Sequence, residues 1–151
     1  MDKKLEAKLV AAFPIMFSEY GGDARQTCMA WGCACGDGWF PLLWALCTQI
    51  EGYYLHHVRL GSESPPPVVF TQIKEKFGTL SVYYSGGDSR VRDFKNFAET
   101  MSMFTCEQCG STTDVHRRKR GWINHACCKC VEKNGEDIAH WEPVIKEKVP
   151  F

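Results

Sequence analysis

Apolar residues recur at three- and four-residue steps in three stretches of the chain, which is the spacing of one face of an α-helix. The stretches run from Leu5 to Tyr20, from Trp39 to Tyr54 and from Val91 to Phe104. Pro14 lies inside the first stretch and should kink or split that helix, because proline cannot donate the intrahelical hydrogen bond. The pattern therefore predicts three helices, the first of them interrupted.

Two runs rich in β-branched and aromatic residues lie between the second and third predicted helices. Val68–Ile73 and Thr79–Tyr84 flank a short turn around Phe77 and Gly78, an arrangement that predicts a β-hairpin. The stretch GSESPPP at residues 61–67 should end the helix that precedes the hairpin. Helices and hairpin together predict an α+β fold.

Two segments lack a regular pattern. Residues 21–38 contain five glycines and no periodicity, which predicts a long loop of the kind that often carries function. Residues 132–151 indicate a short helix followed by a polar tail. We therefore divide the chain into an α+β core domain at 1–104, a small module at 105–131 and the segment 132–151.

Composition excludes several classes of function. The 18 Lys and Arg residues balance 18 Asp and Glu residues, so no global positive field attracts the chain to nucleic acid or anionic lipid. No apolar run approaches the 18 residues of a membrane span, and the N-terminal stretch is amphipathic rather than continuously apolar. We expect a soluble protein of the cytoplasm with no membrane partner.

The strongest chemical signal is a pair of C-x2-C elements. Cys106 and Cys109 form the first element, Cys127 and Cys130 form the second, and 17 residues separate them. Two tight turns with this spacing are typical of a four-thiolate zinc site, because each turn directs two sulfurs at one ion. We predict a Zn²⁺ site with these four ligands in a zinc-ribbon-like module at 105–131.

Other cysteines and a histidine leave part of this chemistry open. Cys128 or His125 is able to replace a neighbouring zinc ligand. Four further cysteines have irregular spacing, so a second metal site competes with buried free thiols as their role; they are Cys28, Cys33, Cys35 and Cys47.

A basic turn lies between the two cysteine pairs, at residues 116–120, and Trp122 follows it. One interpretation is a finger that contacts phosphates through Arg117, Arg118 and Arg120 while Trp122 stacks on a base. The other is charge compensation, since four thiolates around Zn²⁺ leave a net charge of about −2 that nearby cations stabilise. We favour charge compensation, and both interpretations allow a contact with a partner protein.

Several motifs together resemble a group of small phage and prophage proteins of unassigned function. The motifs are GDGW at 36–39, QIKEKFGTL at 72–80, YYSGGD at 83–88 and TCExCG…GWI…CxxC at 105–130. The resemblance implies a viral protein that acts in the cytoplasm of a bacterial host cell. It brings no activity that transfers residue by residue.

The sequence contains no pattern that pairs a nucleophile with a base, so catalysis is not favoured. Our leading hypothesis is a non-enzymatic phage accessory protein that binds a host protein, and inhibition of a defence system is one role of this kind. One alternative is a nucleic-acid-binding protein; another is a protein that sequesters a small anion near Arg59, Lys74, Lys76 and Tyr84. The residues expected to contact a partner are Asp37, Trp39, Lys76, Tyr84, Arg117, Arg118, Arg120 and Trp122.

Overall fold

The structure is a computed structural model that describes residues 1–144. Helix α1 (Lys3–Ala12) begins at Asp2, whose side chain accepts a hydrogen bond from the backbone N–H of Lys4. The helix ends two residues before Pro14, because the residue that precedes a proline disfavours the helical conformation. Residues 13–20 continue as turns that still bury three apolar side chains, Phe13, Met16 and Phe17. The predicted interruption is confirmed.

The loop predicted at 21–38 is more ordered than its sequence indicates. It contains a 3₁₀ turn at Cys28–Trp31 and a two-residue strand, β1 (Cys33–Ala34), which pairs in parallel with a strand of the hairpin. The backbone N–H of Cys33 donates to the buried carboxylate of Glu6 at 2.9 Å. The prediction of one long loop over 21–38 is therefore wrong for these two segments.

The second helix, α2 (Phe40–Leu60), follows a 3₁₀ turn at Asp37–Trp39 and has a proline in its first turn. It ends at Gly61, which has a φ of +63° and donates its N–H to carbonyls of the last turn. Its buried stripe is formed by Leu43, Leu46, Cys47 and Ile50. Within residues 1–144, no helix combines the length and apolarity that crossing a bilayer requires.

The predicted hairpin is present as β2 (Val69–Lys76) and β3 (Thr79–Ser85), and the first sheet has the order β1-β2-β3. Phe70, Ile73, Leu80 and Val82 of the hairpin are buried in one core with α1, α2 and α3. Helix α3 (Ser89–Ser102) begins at Asp88, whose carboxylate accepts hydrogen bonds from two backbone N–H groups of the first turn. The α+β prediction is confirmed.

A second, smaller sheet follows α3. It contains β4 (Val115–Arg118), β5 (His125–Cys127) and β6 (Trp141–Pro143) in the order β5-β4-β6, with α4 (Cys128–Lys133) after β5. A separate buried cluster underlies it, formed by Cys106, Ala126, Cys127, Cys130, Val131 and Trp141.

The segment after residue 131 differs from the short helix and tail expected of it. A 3₁₀ turn at Ile138–His140 leads into β6, whose Trp141 pairs with Arg118 of β4. The hydrophobic cluster of the module thus extends to Trp141, beyond the sequence boundary drawn at 131. The remainder of the predicted tail, 145–151, lies outside the described residues.

Candidate metal centre

The two C-x2-C elements converge on one point. The sulfur atoms of Cys106, Cys109, Cys127 and Cys130 all lie within 4.8 Å of one another. The Sγ atoms of Cys109 and Cys127 are 3.6 Å apart, close to the edge of about 3.8 Å that four sulfurs 2.3 Å from a tetrahedral Zn²⁺ would form. The donor set and its dimensions fit a four-thiolate metal site.

The first cysteine turn is shaped by backbone hydrogen bonds. The N–H of Gly110 donates to the carbonyl of Cys106 at 2.8 Å, and Gly110 adopts a φ of +77°. A residue with a side chain rarely adopts this conformation, so glycine suits the position. The N–H of Cys106 also donates to the carbonyl of Ser111 at 2.8 Å. The turn therefore holds the sulfurs of Cys106 and Cys109 on the same side.

The four thiols differ in environment. Cys106 is fully buried, whereas Cys109 is exposed. The N–H of Ser111 donates to the Cys109 sulfur and lowers its pKa, because this bond favours the thiolate. Burial raises the pKa of Cys127 and of Cys130. An ion at this site would thus be enclosed by the three buried cysteines and open to solvent only beside Cys109.

The two residues considered as substitute ligands have other positions. His125 is buried, and its Nδ1 donates to the carbonyl of Gly78 at 2.7 Å, while burial lowers its pKa. The Cys128 sulfur lies 3.5 Å from Nδ1 of His116. Neither His125 nor Cys128 belongs to the group of four converging ligands.

The N-terminal cysteines form no second cluster of this kind. Within residues 1–144, the group formed by the two C-x2-C elements is the one set of ligand side chains with metal-binding spacing. Cys33, Cys35 and Cys47 are buried in the main core, and Cys28 is exposed. Burial, reinforced by the charge of Glu6, raises the pKa of Cys33 to about 12. These three buried residues are neutral thiols that fill the core.

The loop before α2 docks directly on the first cysteine turn. Gly38 donates its N–H to the carbonyl of Glu107 at 2.7 Å, and Gly36 donates to the Glu107 carboxylate at 2.9 Å. A Cβ atom on Gly38 would lie 2.2 Å from the carbonyl oxygen of Cys106. Burial raises the pKa of Glu107. The two glycines therefore allow a backbone approach that no other residue permits.

Two predicted partner residues instead belong to this docking region. Trp39 is fully buried, and its indole Nε1 donates to the carbonyl of Thr105 at 3.1 Å. Its expected role on a partner surface is incompatible with this burial. Asp37 is exposed, and its carboxylate accepts the backbone N–H of Asp2 at 2.6 Å, just before α1. Sequence reasoning missed the docking role, although two glycines beside a tryptophan are a signal of close packing.

The segment predicted as a basic turn, 116–120, is a strand over its first three residues, which belong to β4, and its side chains have partners of their own. Three of its side chains contact the segment after α4, in the pairs Arg117–Glu142 (3.4 Å), Arg118–Glu136 (3.5 Å) and Lys119–Ala139 carbonyl (3.0 Å). The lysines that line the cleft beside the cysteine cluster are Lys129 and Lys133. These two lysines, and none of the arginines of the basic turn, share that cleft with the cysteines. Arg120 is exposed at the end of the turn.

A cleft of about 270 Å³ lies between the hairpin tip and the residues that follow the basic turn. Lys74, Glu75, Lys76 and Phe77 line one side, and Trp122 and Ile123 line the other. The hydrogen bond between His125 and Gly78 holds the two sides together. The structure therefore brings two predicted partner residues, Lys76 and Trp122, to one cleft.

The remaining predicted positions do not converge on this cleft. Tyr84 is half-buried and packs against the main core. Arg59 lies in the last turn of α2. The residues that line the cleft include Lys74 and Lys76 but neither Tyr84 nor Arg59, so the set named for a small anion does not share this cavity.

No family model, curated protein or solved structure matches this chain. A functional assignment must therefore come from the geometry of the cysteine cluster and of the cleft.

Proposed function

We propose that this chain is a non-enzymatic zinc-binding protein that holds a macromolecular partner on a surface beside its zinc module. On the basis of the resemblance to phage and prophage proteins, we further propose that the protein acts in the cytoplasm of a bacterial host cell and that its partner is a host component. A host protein and a nucleic acid are both candidates for that component.

Zinc is the metal that suits the donor set. Four thiolates in a tetrahedral arrangement are typical of structural Zn²⁺ sites, whereas Ca²⁺ and Mg²⁺ prefer oxygen ligands. Cys106, Cys109, Cys127 and Cys130 would occupy all four positions, so no site remains open for a substrate. The ion would supply folding energy to the small sheet, whose buried cluster contains only a few side chains.

The observation that carries the binding proposal is the pair of exposed aromatic rings at the cleft. Phe77 is 77% exposed and Trp122 is 73% exposed. Lys74 and Lys76 accompany them, and the Lys74 ammonium lies 5.5 Å from the centroid of the exposed Tyr83 ring. We call these five residues the aromatic–basic surface: Lys74, Lys76, Phe77, Tyr83 and Trp122. Clustered exposed aromatic side chains are typical of interaction sites.

The conformation of Phe77 supports the same conclusion. Phe77 and Gly78 form the two-residue loop of the hairpin, with φ values of +52° and +84°. Such loops usually contain Asn-Gly, because a bulky residue at positive φ is strained. A residue that is strained and exposed does not stabilise the fold, so its presence here favours a role in binding.

Metal analysis tests the zinc proposal. Purified wild-type protein should contain about one zinc per chain, and Cys127→Ser should lose it because one of four ligands is removed. Cys128→Ser is the matched control, since this neighbouring thiol lies outside the cluster, and it should keep the metal. A folded, metal-free wild type, or equal zinc loss from both variants, would reject the assignment.

Capture from host lysate tests the surface. Immobilised wild-type protein, the double variant Phe77→Asn/Trp122→Ala and the control Phe97→Ala should be compared by quantitative mass spectrometry and nucleic-acid staining. Phe97 is also an exposed aromatic, at 67%, but lies on α3. The double variant should lose a partner that wild type and control retain. Identical capture by all three proteins would rule out this surface.

A further inference from the structure

We propose that the aromatic–basic surface binds single-stranded nucleic acid. This inference rests on the proposed binding function and names the class of partner. It assigns base stacking to the exposed rings and phosphate contacts to the cations around them.

The geometry of the first sheet places the cations and one ring on its solvent side. In the hairpin register Lys74 pairs with Ser81, and Gln72 pairs with Tyr83. The residues that alternate with them, Ile73 and Val82, point into the core. The outer face is therefore polar, with Tyr83 as its exposed aromatic, while the helices cover the inner face.

The end of β2 that continues beyond its pairing with β1 extends this face towards the zinc module. Strand β1 pairs with β2 at Ile73 and Lys74. The next residues along β2 line the cleft, opposite Trp122 and Ile123. The face, the hairpin tip and Trp122 thus form one continuous surface that leads from Tyr83 to the cleft.

The rings are suited to stacking. Tyr83 is 43% exposed, and the rings of Phe77 and Trp122 are about three-quarters exposed. Every unpaired base offers a flat face that stacks on such a ring regardless of sequence. In a duplex these faces are covered by neighbouring base pairs, so the surface should prefer single strands.

The charge of the surface matches a phosphate backbone. It contains Lys74 and Lys76, and the carboxylate that lines the cleft, Glu75, accepts the N–H of Gly78 at 2.6 Å. With two cations, log K should fall against log salt with a slope of about −1.4, since each contact with a single strand contributes about −0.7. The whole chain has a formal charge of zero, so the attraction is confined to this surface.

Fluorescence anisotropy tests the inference. The probe is a labelled mixed-sequence oligonucleotide of about 20 nucleotides, as DNA and as RNA, and the salt concentration is varied from about 25 to 200 mM. Wild type should bind single strands more tightly than the matching duplex. Phe77→Asn/Trp122→Ala should weaken binding by about ten-fold or more with an unchanged slope. Lys74→Gln/Lys76→Gln should flatten the slope by about 1.4.

Two controls match these variants. Phe97→Ala removes an exposed ring from α3, and Lys4→Gln/Lys8→Gln removes two exposed charges from α1. Both controls should bind like wild type. Absence of binding by wild type at the lowest salt, preference for the duplex, or equal affinity of the ring variant would overturn the inference. Capture from nuclease-treated lysate separates the two proposals. If a protein is still captured there by wild type and lost with Phe77→Asn/Trp122→Ala, the proposed binding function survives and the nucleic-acid assignment fails.

Discussion

The backbone N–H of Gly38 donates a 2.7 Å hydrogen bond to the carbonyl oxygen of Glu107, between the two cysteines of the first C-x2-C element. This bond joins the loop before α2 to the turn that presents Cys106 and Cys109. The indole of Trp39 donates to the carbonyl of Thr105 at 3.1 Å on the same side. The main core and the metal centre are therefore coupled through a backbone contact, which makes the cysteine turn dependent on the core.

Gly38→Ala should disturb both the core and the metal centre. The added Cβ would lie 2.2 Å from the carbonyl oxygen of Cys106 and 2.4 Å from the backbone nitrogen of Gly110, so backbone must move. We expect a loss of several kcal/mol in the free energy of unfolding and weaker zinc binding, because the turn that aims two ligands is displaced. Thermal denaturation and competition with a zinc chelator measure the two effects.

Gly52→Ala is the matched control for this substitution. Gly52 lies inside α2, and a Cβ there meets no atom within 4 Å. The variant should be more stable than wild type by about 0.5–1 kcal/mol, because alanine loses less conformational freedom in a helix. Unchanged zinc affinity in Gly38→Ala would show that the docking contact does not support the cysteine turn.

Phe77→Asn should raise stability while it lowers partner binding. The φ of Phe77 is +52°, and asparagine tolerates this region better than a large aromatic residue. We expect a gain of about 1 kcal/mol in the free energy of unfolding, measured by denaturant titration. Ring removal from Trp122, whose exposure is similar, should lower binding without this gain. A loss of stability in Phe77→Asn would mean that the ring contributes to folding and would weaken the binding argument.

Elements with a local pattern were predictable from the sequence. The hairpin shows two runs rich in β-branched and aromatic residues, Val68–Ile73 and Thr79–Tyr84, and α3 shows helical spacing after a capping aspartate. The cysteine cluster was also predictable, because the spacing of a C-x2-C turn is sufficient to bring two sulfurs together. The signal for the hairpin and for α3 lies within one short segment each, and the signal for the cysteine cluster lies in two short motifs.

Features that depend on distant partners were not predictable. Strand β1 has two residues and exists only through its pairing with Ile73 and Lys74. Trp39 appeared to be a surface residue beside a loop, but its environment is set by Thr105, far along the chain. The cleft at Trp122 likewise depends on how the hairpin tip meets the module. Single-sequence periodicity contains no information about such contacts.

Glu6 should make stability depend on acidic pH. Its buried carboxylate loses hydration, which alone would raise its pKa, but hydrogen bonds from Lys3, Tyr20 and the N–H of Cys33 outweigh this and hold the pKa below that of an ordinary glutamate. Folding therefore favours the ionised form. The resulting stability is fully present above the unfolded pKa and is lost as pH falls through the lower folded pKa.

Glu6→Gln isolates this contribution from the acid sensitivity of a zinc site. At neutral pH the variant should be less stable than wild type by about 2 kcal/mol, because charge-assisted hydrogen bonds are weakened. The difference should shrink as pH falls below the ordinary glutamate pKa of about 4.3, where the unfolded chain begins to take up a proton, and should be smallest once pH has fallen through the lower pKa of folded Glu6. Glu63→Gln, at an exposed loop position, should match wild type throughout. A difference between wild type and Glu6→Gln that stays constant with pH would contradict the role assigned to ionised Glu6.

Zinc affinity should depend on the lysines beside the cluster and not on the basic turn. Lys129 and Lys133 line a cleft together with three of the four cluster cysteines, whereas Arg117 and Arg118 pair with carboxylates of the segment after α4. Four thiolates and Zn²⁺ carry a net charge of about −2, which nearby cations stabilise most strongly at low ionic strength.

Lys129→Gln/Lys133→Gln should therefore weaken zinc binding by about three- to ten-fold at low salt, because each exposed charge contributes less than about 1 kcal/mol. The effect should diminish as added salt screens the charges. Arg117→Gln/Arg120→Gln removes the same number of charges and should leave zinc affinity near that of wild type. Chelator competition at two salt concentrations measures both. If the arginine variant loses zinc and the lysine variant keeps it, the basic turn is the compensating charge after all, as the sequence alone had led us to favour.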